Sequence, residues 1–337
     1  MMAIGAPIRE HEGPVPDDLF AHVSELDGPC VFRGAVAEWP LVQNSHSSIQ
    51  DICSYLLGFY DDKPVTTFST DEPIGGRIFY TDELERVNFN QSKRQLDAVL
   101  EELAELATQD EAPTLYVGST SIDHYLPGLS ERNSLPHGDL QATVRIWIGN
   151  QTTVAAHYDA MENIACVCAG QRRFTLFPPE QIHNLYVGPI DFTPAGQSIS
   201  LVDLDNPDLE RFPKFSEAQK HAMTVVMEPG DAIYIPAMWW HHVQGLDRFN
   251  ILINHWWQAV PQHMGPPLDA LLHALMNIRD LPEPQRQAWR VFFDHYVFGD
   301  KDEAAAHIPE KRRGVLGDIS DDLARQLRAS LRNKLNR

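Results

Sequence analysis

Between Thr114 and Trp257 the chain breaks into short β-rich runs separated by turn chemistry, and no other feature limits the fold as much. The runs are 114–117, 142–148, 164–169, 172–177, 223–227, 232–235, 241–246 and 249–257. Gly149-Asn150, Ala169-Gly170, Pro178-Pro179 and Pro229-Gly230-Asp231 stand between them. Glycine and asparagine reach backbone conformations that other residues avoid, and proline cannot donate to a ladder, so such pairs end strands. These short strands have no helical pattern between them. They predict a mostly β fold, an antiparallel barrel or sandwich. One long insertion, 180–219, is rich in proline and glycine and is expected to wrap the outside as loops.

The flanks read differently. Residues 48–60 space Ile49, Ile52, Leu56 and Phe59 as a helix behind a Ser48 cap. Residues 92–108 carry the stripe Leu96, Val99, Leu100, Leu103 and Leu106, with Ser92 and Gln95 as a capping box. After Pro261 three more helical stripes follow: Leu268, Leu271, Leu272 and Leu275; Trp289, Phe292, Phe293 and Tyr296; then Leu323, Leu327, Leu331 and Leu335. The expected organisation is a mixed N-terminal segment (1–113) packing on a barrel (114–260), then a helical region (261–337). The 43% apolar content is enough for a sizeable core. With 47 acidic against 27 basic residues the net charge is −20, which repels duplex nucleic acid and anionic membrane. Neither is expected as the main partner. Cysteines 30, 53, 166 and 168 are too few and too scattered for a disulfide framework, and Cys166 and Cys168 share one face of a buried strand. The first thirty residues hold no apolar leader-like run, and no stretch of about eighteen apolar residues occurs. A cytoplasmic protein is expected.

The chemistry starts at His157-Tyr158-Asp159. On a strand, residues i and i+2 project to the same face about 7 Å apart, so a histidine and a carboxylate so placed can share a metal. The spacing alone is common: His137-Gly138-Asp139 has it too, but follows Pro136 and reads as a loop with no fixed face. What distinguishes the first pair is a later stretch, a Pro229-Gly230-Asp231 turn, a strand, an aromatic corner and then His241-His242. Two histidines and one carboxylate form a facial triad that leaves three adjacent coordination positions open, which suits non-haem Fe(II) and O₂. His241 and His242 point to opposite faces of a strand, so at most one joins the site. For His242 the plainer reading is a hydrogen-bonded core histidine.

With these residues in hand, the sequence resembles the JmjC/cupin-like 2-oxoglutarate oxygenases. Within them it resembles the branch of the asparaginyl hydroxylase that inhibits hypoxia-inducible factor. The likeness runs from about Tyr80 to Trp257 and rests on several motifs in one order. These are His157-Tyr-Asp, Gly170-Gln-Arg-Arg-Phe-Thr-Leu-Phe-Pro-Pro, Asp205-Asn-Pro-Asp-Leu-Glu-Arg-Phe-Pro, Pro229-Gly-Asp-Ala-Ile-Tyr-Ile-Pro, Trp239-Trp-His-His-Val and Asn254-His-Trp. The resemblance implies a double-stranded β-helix, the jelly-roll or cupin barrel, with Fe(II) held by His157, Asp159 and His241. It implies 2-oxoglutarate as cosubstrate, its distal carboxylate bonded by Tyr80 of Phe79-Tyr-Thr-Asp-Glu. Asn163 and Asn254 would line the cosubstrate pocket, Trp256 would pack beside the iron, and Thr153 would stand near the same carboxylate. The basic anchor is Arg172, where that hydroxylase has lysine. A guanidinium binds a carboxylate bidentately but is longer than an ammonium stem.

The same resemblance implies O₂ as oxidant, a protein or peptide side chain as substrate, and a homodimer through the C-terminal helices. His-x-Asp rather than His-x-Glu is closer to the hydroxylase branch than to the demethylase branch. Two other readings stay open: a cupin module that holds a metal and a small acid without turnover, and a cupin enzyme that needs no 2-oxoglutarate.

Overall fold

A computed structural model of the chain describes residues 5–335, apart from 139, 259 and 262. The barrel is built from β1 (Thr143–Gly149), β2 (Thr153–Tyr158), β3 (Glu162–Ala169), β4 (Arg172–Phe177), β5 (Met223–Met227), β6 (Ala232–Ile235), β7 (Trp240–Gly245) and β8 (Asn250–Trp257). The order β6-β3-β8-β1 forms one sheet and β5-β4-β7-β2 the other, with every neighbouring pair antiparallel. Strands that cross between two facing sheets in this order make a double-stranded β-helix. The turn into β4 depends on Gly170, whose φ is +67° and where an added Cβ would stand 2.4 Å from the Phe249 carbonyl.

The N-terminal residues join this architecture directly. Leu115–Ser121, Val65–Ser69 and Asn90–Arg94 continue the first sheet beyond β1, and Cys30–Phe32 continues it beyond β6. Side chains of the first sheet therefore meet protein on both faces. Ile164, Cys166 and Cys168 of β3 pack towards Leu96, Val99, Leu100 and Leu103, while Ala165 and Val167 face the space between the sheets. A strand buried on both sides needs apolar residues without alternation, which is why 164–169 reads as an unbroken run. Burial of each such leucine stabilises the fold by about 1.5–3 kcal/mol.

Ser48 caps the helix Ile49–Leu57 as expected, its side chain accepting from the Asp51 amide. The second helix starts later than the capping-box pattern predicts, at Leu96, and Gln95 makes no side-chain cap. The sheet claims Ser92 instead: it lies opposite Thr67, their hydroxyls 2.9 Å apart. The 180–219 insertion is more than loops. Leu185, Val202, Leu204, Phe212 and Phe215 pack on Ala156, Phe177 and Trp240, covering the outer face of the second sheet. It ends in a helix, Phe215–His221.

The chain divides into two compact units at 258/259. The second is helical, with Pro267–Asn277, Glu283–Tyr296, Lys301–Ala305 and Asp321–Leu335. Among the described residues no helix is long and apolar enough to cross a membrane.

Candidate metal centre

His157 on β2 and His241 on β7 lie directly opposite each other in the ladder, with ring centroids 4.2 Å apart. Asp159 follows the end of β2, where the Met238 amide donates to its carbonyl at 2.7 Å. The orientation of both rings is set by the backbone. His157 Nδ1–H donates to the Ala155 carbonyl at 2.9 Å, and His241 Nδ1–H donates to the Trp239 carbonyl at 3.0 Å. A carbonyl only accepts, so each ring carries its proton on Nδ1 and a free lone pair on Nε2.

One ligand atom from each of His157, Asp159 and His241 falls within 4.8 Å of the others. His241 Nε2 is 3.6 Å from Asp159 Oδ2, a buried oxygen that accepts no hydrogen bond. Asp159 Oδ1 receives the Gln197 side-chain amide at 3.4 Å. Burial, helped by His157 and opposed by Asp159, lowers the His241 pKa to about 4. The imidazole is therefore neutral near pH 7, the form a metal requires. Two imidazole nitrogens and a carboxylate oxygen without a hydrogen-bond partner thus converge. This donor set fits a divalent metal with open positions.

The other histidines stand apart. His242 is buried on the opposite face of β7, and burial lowers its pKa to about 3. His255 is a core residue whose Nε2 accepts from the Leu135 amide at 3.2 Å. His137 joins no ligand cluster among the described residues, and its proposed companion Asp139 lies outside them.

The triad opens into a cavity of about 640 Å³ between the sheets, lined also by Asn163, Arg172, Asn254 and Trp256. Asn254 Nδ2 donates to Asn163 Oδ1 at 2.6 Å. Arg172 is 3% exposed, its Nε has no partner, and the group beside its guanidinium is the Tyr116 hydroxyl rather than a carboxylate. Desolvation lowers the Arg172 pKa and pushes Tyr116 up to about 12, the guanidinium opposing the latter. A buried cation without an anion is costly, and this one faces a cavity large enough to admit an anion. The indole Nε1 groups of Trp147 and Trp256, also lining the cavity, are buried without acceptors.

Two expected cosubstrate residues are placed elsewhere. Tyr80 is buried, but its hydroxyl donates to the Phe192 carbonyl at 2.6 Å and it does not line the cavity. The hydroxyl beside Arg172 belongs to Tyr116 in the strand Leu115–Ser121. Thr153 also lies off the cavity, which Val154 lines in its place. The pairing of β2 with β7 slips between His241/His157 and Val243/Val154, leaving an extra residue on β2. One extra residue reverses which side chains face inward. Tyr116 was within a run already readable as a strand; Gln197, in the insertion, had no signal of its own.

An antiparallel double-sheet barrel with a candidate His-Asp-His metal site in its mouth is a cupin-type architecture. A cupin-like domain matches residues 16–263, and the chain belongs to that family. Among its relatives is HSPB1-associated protein 1 of Homo sapiens, 32% identical over 148 residues, which are 43% of this chain and 30% of that protein. Lysine-specific demethylase JMJ31 of Arabidopsis thaliana is 30% identical over 129 residues, 36% of this chain and 23% of that one. tRNA wybutosine-synthesizing protein 5 of Danio rerio is 33% identical over 105 residues, 31% and 29% respectively. The matches thus span a third or less of each of these relatives. The demethylase supports an oxygenase-type relationship at a coarse level. The narrower likeness to the asparaginyl hydroxylase is not what these relatives show.

Proposed function

We propose that the chain is an Fe(II)- and 2-oxoglutarate-dependent oxygenase that hydroxylates a side chain of a protein or peptide. One observation carries this reading: a single cavity holds both three convergent metal-ligand atoms and a buried guanidinium whose neighbour is a tyrosine hydroxyl rather than a carboxylate. His157, Asp159 and His241 would hold the iron, which with 2-oxoglutarate and O₂ supplies an oxidant able to put oxygen into a C–H bond. Arg172 and Tyr116 would bind the distal carboxylate, with Asn163 and Asn254 beside it. Val154, Phe174, Val243 and Leu252 give the cavity apolar walls that exclude water. A polypeptide substrate is favoured over nucleic acid by the net charge of −20. The four buried free cysteines fit the reducing cytoplasm.

The test is succinate release from 2-oxoglutarate by Fe(II)-loaded protein. Slow release without substrate, accelerated by the right peptide, is the expected result. No succinate under either condition would favour a module that binds metal and a small acid without turnover, a reading to which the name of HSPB1-associated protein 1 lends some support.

The helical unit is proposed to pair with a second copy of the chain. Neither Pro267–Asn277 nor Glu283–Tyr296 buries any side chain fully, and Leu271, Met276, Trp289 and Phe292 are 46–66% exposed. An apolar surface of this kind marks an interaction site. Leu271→Asp with Phe292→Asp should convert a dimer into a monomer in light scattering, with metal binding unchanged. A parent chain that is already monomeric at micromolar concentration would refute the pairing.

A further inference from the structure

The corner between β6 and β7 contacts two of the three candidate metal ligands, Asp159 and His241, and one carboxylate outside the triad holds that corner. We infer that Glu162 is a positioning residue for the metal centre, an inference that rests on the metal reading proposed above. Glu162 opens β3, and its Oε2 accepts two hydrogen bonds: from the Tyr234 hydroxyl at 2.7 Å and from the Ala237 amide at 3.1 Å. Tyr234 is on β6 and Ala237 is in the corner that follows it, so this oxygen ties the corner to the strand before it.

Two atoms of the same corner touch the ligands. The Met238 amide donates to the Asp159 carbonyl at 2.7 Å, and the Trp239 carbonyl accepts the His241 Nδ1 proton at 3.0 Å. A shift at 237 therefore moves the partner of Asp159 and the partner of His241 together.

The corner also needs holding. Met238 has φ +68°, a left-handed conformation that a non-glycine residue keeps only when its surroundings enforce it. Its side chain is 44% exposed, so packing on that side chain is not what fixes it. The corner is held through its backbone: Trp239 N–H closes the turn onto the Pro236 carbonyl, while Ala237 N–H to Glu162 and Met238 N–H to Asp159 tie it to the rest of the barrel. Groups that orient metal ligands from behind typically change metal affinity by about 10–100-fold when lost.

The role depends on an acceptor at the right reach, not on charge. Glu162→Gln keeps an oxygen at the same distance, Glu162→Asp keeps the charge but withdraws it by one methylene, and Glu162→Leu removes the acceptor. Co(II) titration of each metal-free full-length variant gives both affinity and the visible ligand-field spectrum, a direct report on ligand geometry that needs no turnover. The Gln variant should bind Co(II) within a few-fold of the parent and show its spectrum. The Leu and Asp variants should bind about 10–100-fold more weakly, with altered bands. The unfolding midpoints of the metal-free forms separate a misplaced ligand from a lost fold, and the Asp variant serves if the Leu variant does not fold. Leu and Asp variants that bind like the parent, or a Gln variant as weak as Leu, would overturn the role of Glu162 alone. A parent that takes up no Co(II) would overturn the metal reading and this inference with it.

Discussion

His241→Ala is expected to abolish stoichiometric metal binding, whereas His242→Ala and His137→Ala should leave it intact. The neighbouring histidines occupy opposite faces of β7. His241 presents Nε2 to Asp159 Oδ2 at 3.6 Å, and its other nitrogen is committed to the Trp239 carbonyl. Removing it leaves one histidine and one carboxylate, too few protein ligands for tight binding of a divalent ion. His242 projects from the opposite face, so its loss should alter packing and stability while the triad stays whole. Purified protein is expected to carry zinc or nickel in part, since both bind nitrogen and oxygen sites more tightly than iron. Metal content after dialysis and a Co(II) titration would check all three variants. Retained binding in His241→Ala, with loss in His242→Ala, would mean that the wrong imidazole has been placed in the site.

The barrel was legible because its strands obey local rules. Met223–Met227 and Arg172–Phe177 are bounded by residues that end strands, and β3 is apolar from Ile164 to Ala169 because both its faces are buried there. β2 is weaker: Thr153–Tyr158 is short of large apolar residues, and its place is evident mainly from the histidine it carries. The three metal ligands could be chosen because motif order supplies what spacing alone does not. Cosubstrate residues were harder, since which face of a strand looks inward depends on register. The extra residue in β2 turns Thr153 away and Val154 inward, and no local signal in Thr-Thr-Val-Ala-Ala announces it. Tyr80 and Tyr116 are equivalent as residue types, and only tertiary placement assigns one to a backbone carbonyl and the other to Arg172. Ser92 shows the same limit for a helix start: sheet pairing with Thr67 overrides a local capping pattern.

Arg172→Ala should raise the apparent constant for 2-oxoglutarate steeply and leave metal affinity nearly unchanged. Arg172 is 3% exposed and its guanidinium has no carboxylate beside it among the described residues, so an incoming dianion would find a cation that is already desolvated. Losing one partner of such a buried charged pair costs about 2–5 kcal/mol, on the order of thirty-fold to several-thousand-fold in affinity. The fold itself should tolerate the change, because the substitution removes a buried charge that has no protein anion to leave unpaired. Arg172→Lys should recover part of the affinity, with one point charge in place of a two-pronged donor. Tyr116→Phe should weaken binding less, since it removes a neutral donor, and Tyr80→Phe should not weaken it, because that hydroxyl is spent on Phe192. Calorimetry of 2-oxoglutarate binding to the Mn(II)-loaded chain would give these constants without turnover. If Arg172→Ala binds 2-oxoglutarate as tightly as the parent, the buried guanidinium is not the acid's anchor. The oxygenase reading would then keep its metal site but lose its account of the cosubstrate, and a cupin enzyme that needs no 2-oxoglutarate would explain the cavity better.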